Sequence, residues 1–366
     1  MRLRQLLLAC TMLLATTPGL AAIAGHNVIL VHGFQPTNLI IRPKTDEKIA
    51  MNGYNYWSLY WNQRAEARLD WSSAERVEGG IAKQIYNKAL TLSQSGLCQN
   101  GCVMVTHSTG DLVARYFLEH QEEWLTSAGY QPLNILAVLD FAGAGGGTEL
   151  ADAAVSAFNA GLKKTTTTTS NTSRLWAAVT AWLGKNFDTS KILGVVNDLQ
   201  PTVARNLGTT PNSIPHLRFA GSGSEFFGIT SFFISGTDDG VVPSHSSCGS
   251  SKVDNYKSCS PNVAFNGKLT SVKAPNDFYQ NYYPVLMGEH TTHNGTVNEK
   301  EKSSLMTFAN NKFLAGLDVE FDTYTEEVKK WWNLFGGDTY QFVRDSDKRT
   351  MSEAVFDALN SHGQSQ

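Results

Sequence analysis

The chain has 366 residues, 42% of them hydrophobic, which is enough for one large core or for a core with an inserted cap. Its formal net charge is -3, so no basic excess points to nucleic acid, and no long charge run points to a disordered tail. The 31 glycines suit a fold with many tight strand-to-helix turns.

Residues 1–24 read as an export signal rather than as part of the fold. Arg2 and Arg4 form a short positive region, Leu6 to Ala15 is apolar but too short to span a bilayer, and Ala22-Ile23-Ala24 offers small residues for cleavage. A secreted chain beginning near Gly25 follows. Leu7-Leu8-Ala9-Cys10 resembles a lipoprotein lipobox but comes too early to leave a full apolar region before it. No second apolar stretch is long enough to be a transmembrane segment. Removing the signal leaves Cys98, Cys102, Cys248 and Cys259, an even set that in an exported chain implies two disulfides. Proximity favours Cys98–Cys102 and Cys248–Cys259, with the other pairings open. The spacings do not match a zinc knuckle or ribbon.

Asn27 to Val31 reads as a buried strand, broken by the turn residues His32 to Pro36. Residues 52–71 are rich in Trp and Tyr and receive no assignment. Glu75 to Ser95 has helical periodicity, with Ile81, Ile85, Tyr86 and Leu90 on one side. Val103-Met104-Val105 is a second apolar strand, Asp111 to Trp124 a helix with Leu112, Tyr116 and Phe117 inward, and Leu133 to Phe141 a third strand. Continuous apolar strands alternating with helices predict an α/β fold with a mostly parallel sheet covered on both faces. The stretch from Gly143 to Gly147 ends that regularity. Residues 148–228 then read as a helical insertion, a cap or lid, containing a threonine run at Thr165 to Thr169 and an apolar stretch at Leu175 to Leu183. Extra core helices are the plainer alternative. Strands resume at Ile229 to Ile234, giving a core of residues 25–147 and 229–317, followed by a polar, helix-prone extension over 318–366.

The chemistry sits in four segments. Val103-Met104-Val105-Thr106-His107-Ser108-Thr109-Gly110-Asp111 runs from strand into helix, the context of the nucleophile elbow G-x-S-x-G of the α/β-hydrolase fold. Gly110 supplies the small residue after Ser108, while Thr106 stands where glycine is usual. The plain alternative is a β-to-α turn with an N-capping Ser or Thr. His32-Gly33-Phe34 follows the first strand, where this fold places one oxyanion-hole N–H; the residue after the nucleophile gives the other. Those donors would be Phe34 and Thr109, with His32 a structural hydrogen-bonder. Asp238 and Asp239 follow Ser231 to Thr237, where one would be the triad acid and the other an Asx-turn residue. His290 and His293 lie late in the chain in a loop. The order Ser, Asp, His is the one this fold uses. His107 is too close to Ser108 to be the base, His216 and His362 lack a matching context, and His245 is a weaker alternative.

With these residues assembled, the chain resembles the secreted bacterial triacylglycerol lipases of family I over roughly residues 27–315. The resemblance lies in Val-His-Gly-Phe, His-Ser-Thr-Gly, Gly-Thr-Glu-Leu-Ala-Asp at 147–152 and Asp-Asp-Gly-Val-Val at 238–242. It implies that the acid before glycine, Asp239, is catalytic. It implies His293 as base, through the similarity of His293 to Asn298 to the family's His-x-x-x-hydrophobic-Asn. It also implies lid helices after the Gly-Thr-Glu segment. Thr106 and Asp111 replace glycines of the family's run, and Gly295 stands where the family has a calcium-binding acid. The implied activity is carboxylic ester hydrolysis, as lipase or esterase, through an acyl-enzyme and without a redox or nucleotide cofactor. Calcium is the one ion in question. The implied partners are a lipid or other ester substrate, transient contact with a lipid–water interface, and an export chaperone or foldase. A phospholipase, a polyhydroxyalkanoate-type depolymerase and a non-catalytic hydrolase-like binding protein are the alternatives.

Overall fold

The computed structural model describes residues 22–161, 170–187, 192–209, 213–252, 282–306, 311–314, 317–328 and 337–361. Most of the expected signal, the threonine run, Cys259 and His362 lie outside them.

In chain order the elements are β1 (Asn27–Val31), α1 (Thr37–Ile40), α2 (Asp46–Tyr56), α3 (Leu59–Asn62), β2 (Ala67–Arg68), α4 (Ala82–Ser95), β3 (Cys102–His107), α5 (Gly110–Ser127), β4 (Ile135–Phe141), α6 (Glu149–Asn159), α7 (Ser170–Leu183), α8 (Pro201–Ala204), β5 (His216–Gly221), α9 (Ser244–Ser247), β6 (Tyr282–Gly288), β7 (Leu305–Met306), β8 (Asn311–Leu314), β9 (Leu317–Glu320), β10 (Thr323–Val328), β11 (Asp338–Val343) and α10 (Met351–Asn360). Nine strands form one sheet in the order β10-β11-β7-β6-β5-β4-β3-β1-β2. The run from β2 to β6 is parallel, and β7, β11 and β10 add an antiparallel edge. The protein is thus an α/β fold with a mostly parallel sheet. Strands β8 and β9 form a separate antiparallel pair.

Side chains alternate along each strand, so the apolar strands feed two cores. Ile29, Val31, Met104 and Val138 face one core with Ile85 of α4, Leu112 and Phe117 of α5, and Leu150 and Ala154 of α6. Val28, Leu30, Val103, Val105, Leu139 and Phe219 face the other with Trp57, Trp61 and the α10 residues Met351, Val355 and Leu359. The aromatic stretch at 52–71, left unassigned from sequence, therefore belongs partly to the second core.

Two expectations are corrected. The strand expected at Ile229 to Ile234 is absent; Ser231–Phe233 is a short helical turn, and Phe232 is 69% exposed. The strand that takes this place in the sheet is β5, inside the stretch assigned to the cap. Its sequence, HLRFAG, is fully buried. It carries His216 and Arg218, and a buried Arg is compatible with a sheet only because Asp111 and Asp140 both lie 2.8 Å from Arg218 Nη1. The extension over 318–366, expected to be helix-prone, holds β10 and β11 as well as α10. Most of β10 is exposed at the sheet edge, so its polar sequence does not alternate with apolar residues as an inner strand would.

Cys98 and Cys102 form the expected disulfide, with Cα atoms 5.1 Å apart. Cys248 is disulfide-bonded too; its expected partner, Cys259, lies outside the described residues. No helix among the described residues is long and apolar enough to cross a membrane.

Candidate active site

Ser108 occupies the turn between β3 and α5 with φ 57, a left-handed conformation that costs a non-glycine residue free energy and persists only where the surroundings fix it. The fixing bonds are visible. Ser108 N–H donates to Phe141 O at 3.0 Å, and its carbonyl accepts from Asp111 N–H at 3.1 Å and Ala144 N–H at 2.8 Å. The crossing is close enough that a Cβ on Gly110 would meet His32 O at 2.8 Å, and one on Gly33 would meet Ser108 Cβ at 2.7 Å. Gly110 is thus required for β1 to pass beside α5, and Gly33 lies against the serine.

Thr106 and Asp111, the departures from the glycine pattern, belong to one buried polar network. Thr106 Oγ1 donates to Asp140 Oδ1 at 2.6 Å, Gly145 N–H donates to Asp111 Oδ2 at 2.8 Å, and Arg218 Nη1 donates to the same Asp111 oxygen at 2.8 Å. Arg218 also donates to the carbonyls of Ser246 and Ser247 at 3.0 and 2.9 Å, tying the elbow to α9. Burial alone would raise Asp111, but Arg218 and Arg115 outweigh it and hold the carboxyl below its ordinary value. Burial pushes Asp140 well above the carboxylate range, with Arg218 offsetting only part of that and Asp111 adding to it.

Phe34 and Thr109 are both buried beside the serine. Among the described residues, neither backbone N–H has an acceptor, whereas the neighbouring N–H groups of Gln35 and Ser108 donate to Ser73 Oγ and Phe141 O. Buried N–H groups are almost always paired, so each of the two is an exception.

Asp239 and His293 are brought together. His293 Nδ1 lies 2.9 Å from Asp239 Oδ2, and His293 N–H donates to Asp239 O at 2.9 Å. The other carboxylate oxygen of Asp239 accepts from the N–H groups of Val241 and Val242 at 3.0 and 2.7 Å. Both side chains are buried. Asp238 instead accepts from Ser231 Oγ at 2.6 Å and Gly240 N–H at 2.7 Å. His290 has φ 64 and a side chain 87% exposed. The structure thus pairs Asp239 with His293 and leaves Asp238 and His290 outside that pair. Among the described residues no hydrogen bond joins Ser108 Oγ to His293.

The link between elbow and base loop runs through His107. Its Nε2 lies 3.1 Å from His293 O, its ring centroid is 4.7 Å from that of His293, and its Nδ1 accepts from Tyr56 OH. A neutral ring with the proton on Nε2 satisfies both contacts. Burial lowers the His107 pKa well below the ordinary value, and the charge of His293 lowers it further. The bridge was not legible in sequence, because Tyr56 comes from the unassigned aromatic stretch. His32, expected to be structural, lies 2.8 Å from Gly33 O through Nδ1 and 3.2 Å from Trp71 N through Nε2, and burial lowers its pKa to about 4. His245 is held between Arg205 and Glu149 at 2.9 and 2.8 Å.

Glu301 holds the loop that carries His293: Thr292 Oγ1 donates to Glu301 Oε2 at 2.8 Å, and a Cβ on Gly295 would strike the Glu301 carboxylate. Among the described residues no group of three or more His, Cys, Asp or Glu could hold a metal ion. Trp182 of α7 packs on Phe34 with ring centroids 5.3 Å apart.

No family profile matches the chain, and no curated protein matches it. Among solved structures it is similar to Bacillus licheniformis lipase BlEst2 in mature form, with 16% identity and a TM-score of 0.38 over 63% of this chain and 81% of that one. It is similar to lipase 1 from Pelosinus fermentans, with 16% identity and a TM-score of 0.34 over 73% and 92% of the two chains. For EstA from Clostridium botulinum the values are 15% and 0.34 over 75% and 83%. At such values the likeness is one of fold outline alone.

Proposed function

We propose that this chain is a secreted serine hydrolase that cleaves carboxylic esters, of lipase or esterase type. The observation that carries the reading is the left-handed Ser108 at the strand-to-helix turn, set beside two unpaired N–H groups and near a buried Asp239–His293 pair. Ser108 Oγ attacks the ester carbonyl while His293 Nε2 takes its proton. Asp239 keeps the Nδ1 proton in place and stabilises the imidazolium. The negative charge on the former carbonyl oxygen falls between Phe34 and Thr109 N–H. The alcohol leaves with a proton from His293, and water activated by the same ring releases the acid. The mechanism requires Ser108 Oγ to swing onto His293 when substrate enters, and catalytic hydrogen bonds often tighten only in the complex. The Cys98–Cys102 disulfide supports export, and the packing of α7 on Phe34 supports a lid over the acyl site.

The test is Ser108→Ala, assayed on a soluble p-nitrophenyl ester after folding is verified. Turnover should fall by roughly 10⁴ or more. Activity within a few-fold of the parent would sink the reading.

A further inference from the structure

Tyr56, the last residue of α2, lies outside the four segments that carry the candidate chemistry, yet its hydroxyl sits where three of them meet. It donates to His107 Nδ1, and a hydrogen bond from the Gly33 backbone reaches the same oxygen. The phenol thus accepts from the loop after β1 and donates to the elbow. This approach needs glycine at 33, because a Cβ there would strike the Tyr56 oxygen. Burial pushes the Tyr56 hydroxyl above the ordinary phenol value, with Gly33 offsetting only part of it, so it remains a donor.

A donor at Nδ1 selects the tautomer of His107. A neutral imidazole carries one proton, and with Nδ1 accepting, that proton sits on Nε2, 3.1 Å from His293 O. The chain of bonds therefore runs from Gly33 N–H to Tyr56, from Tyr56 O–H to His107, and from His107 Nε2–H to the backbone of His293. The His107 ring also lies against the His293 ring, with centroids 4.7 Å apart and planes 38° apart. At the other end, His32 Nδ1 lies 2.8 Å from Gly33 O, the carbonyl of the peptide whose N–H belongs to Phe34. That peptide is held by His32 at its own carbonyl and by Tyr56 one peptide earlier. One phenol thus ties together the loop of the Phe34 donor, the elbow and the loop of the base. Reaction rate depends steeply on such alignment: a misplacement of about 1 Å can cost about 10²-fold.

We propose that Tyr56 is a positioning residue for ester hydrolysis: acting through His107, it holds the Phe34 loop and His293 in register with Ser108. The proposal rests on the Ser108 reading above. The test is a double-mutant cycle on the full chain, with Tyr56→Phe, His107→Gln and the double variant assayed for kcat and KM on one soluble p-nitrophenyl ester, and with thermal melts run alongside. Tyr56→Phe keeps the ring and removes the donor. It should lower kcat by about 10–100-fold and leave KM within about threefold, because alignment acts on the transition state rather than on ester binding. His107→Gln keeps an N–H near the Nε2 position but places no acceptor at the Nδ1 position. In that background Tyr56→Phe should change kcat by less than about threefold, since residues acting in one chain are not additive. If Tyr56→Phe does not fold, His107→Gln alone should show the loss in kcat with KM preserved. A folded Tyr56→Phe with kcat within twofold of the parent would overturn the proposal. So would a change confined to KM, or full additivity in the cycle, and in each case ester hydrolysis by Ser108 would stand. A parent that turns over no ester would instead bring down the hydrolase reading, and the proposal with it.

Discussion

At the scale of single residues, two adjacent acids and two nearby histidines are separated by their backbone environments. Asp239 has one oxygen fixed by the N–H groups of Val241 and Val242 and the other turned to His293. Asp238 closes its own turn through Gly240 and Ser231. Asp239→Asn should therefore lower turnover by on the order of 10⁴, because an amide stabilises neither the required tautomer nor the imidazolium, whereas Asp238→Asn should stay within about tenfold. His293→Ala should cost several orders of magnitude, and the exposed His290→Ala little. Steady-state kinetics of the four variants on one soluble ester decide the matter; inactivity of the Asp238 and His290 variants alone would reverse the assignment. The sequence placed both candidates of each pair in one loop and could go no further without the resemblance. What separates them is which N–H groups point at which carboxylate and that residue 290 turns left-handed, neither of which is a property of residue type.

At the scale of elements, the elbow rests on a buried ion network that joins β3, β4, α5 and β5. Arg218 lies between Asp111, held ionised, and Asp140, pushed toward its neutral form by burial. The two acids should respond differently to neutralisation. Asp111→Asn leaves a buried guanidinium without its charged partner and should cost about 3–5 kcal/mol. Asp140→Asn keeps an oxygen that accepts from Thr106 and leaves Asp111 as the charged partner of Arg218, so it should cost less than Asp111→Asn. Denaturant unfolding measures both, and the reverse order would refute this division of charge. The same network explains which strands could be read from sequence. β1, β3 and β4 are continuous apolar runs and were legible at once. β5 was not, because His216 and Arg218 are poor signals for a buried strand unless Asp111 and Asp140 are known to face them. The Phe-rich segment at 229–234 gave the opposite error, since Phe232 meets solvent and the cation of Arg174, 5.6 Å from its ring centroid, rather than the core.

At the scale of the whole molecule, the two cores enclose histidines that must stay neutral. Burial lowers His32 to about 4 and His216 to about 3, and lowers His107 as well. The unfolded chain takes up protons near 6.5 while the folded chain does not, so this stability is complete above 6.5 and is lost as pH falls toward 4. Asp70, raised to about 6 by burial, and Asp140 act in the other direction, since the folded chain protonates them first. His32 alone should account for a loss on the order of 3 kcal/mol across its window. Thermal melts at pH 7.5 and 4.5 should accordingly show a smaller drop for His32→Gln, which can still donate to Gly33 O, than for the parent; an equal drop would contradict the neutral burial of His32. The overall division of the chain was only partly visible beforehand. The parallel half follows from apolar periodicity. The antiparallel edge does not, because β10, which pairs with β11 over six residue pairs, is mostly exposed, and a polar edge strand leaves little trace in hydropathy.

Covalent labelling tests most directly whether Ser108 is the nucleophile and His293 activates it. A fluorophosphonate should add one adduct to the intact protein, mapped by peptide mass spectrometry to Ser108. The adduct should be absent in Ser108→Ala and form orders of magnitude more slowly in His293→Ala. Labelling at another residue, or at Ser108 with a rate indifferent to His293, would contradict the account.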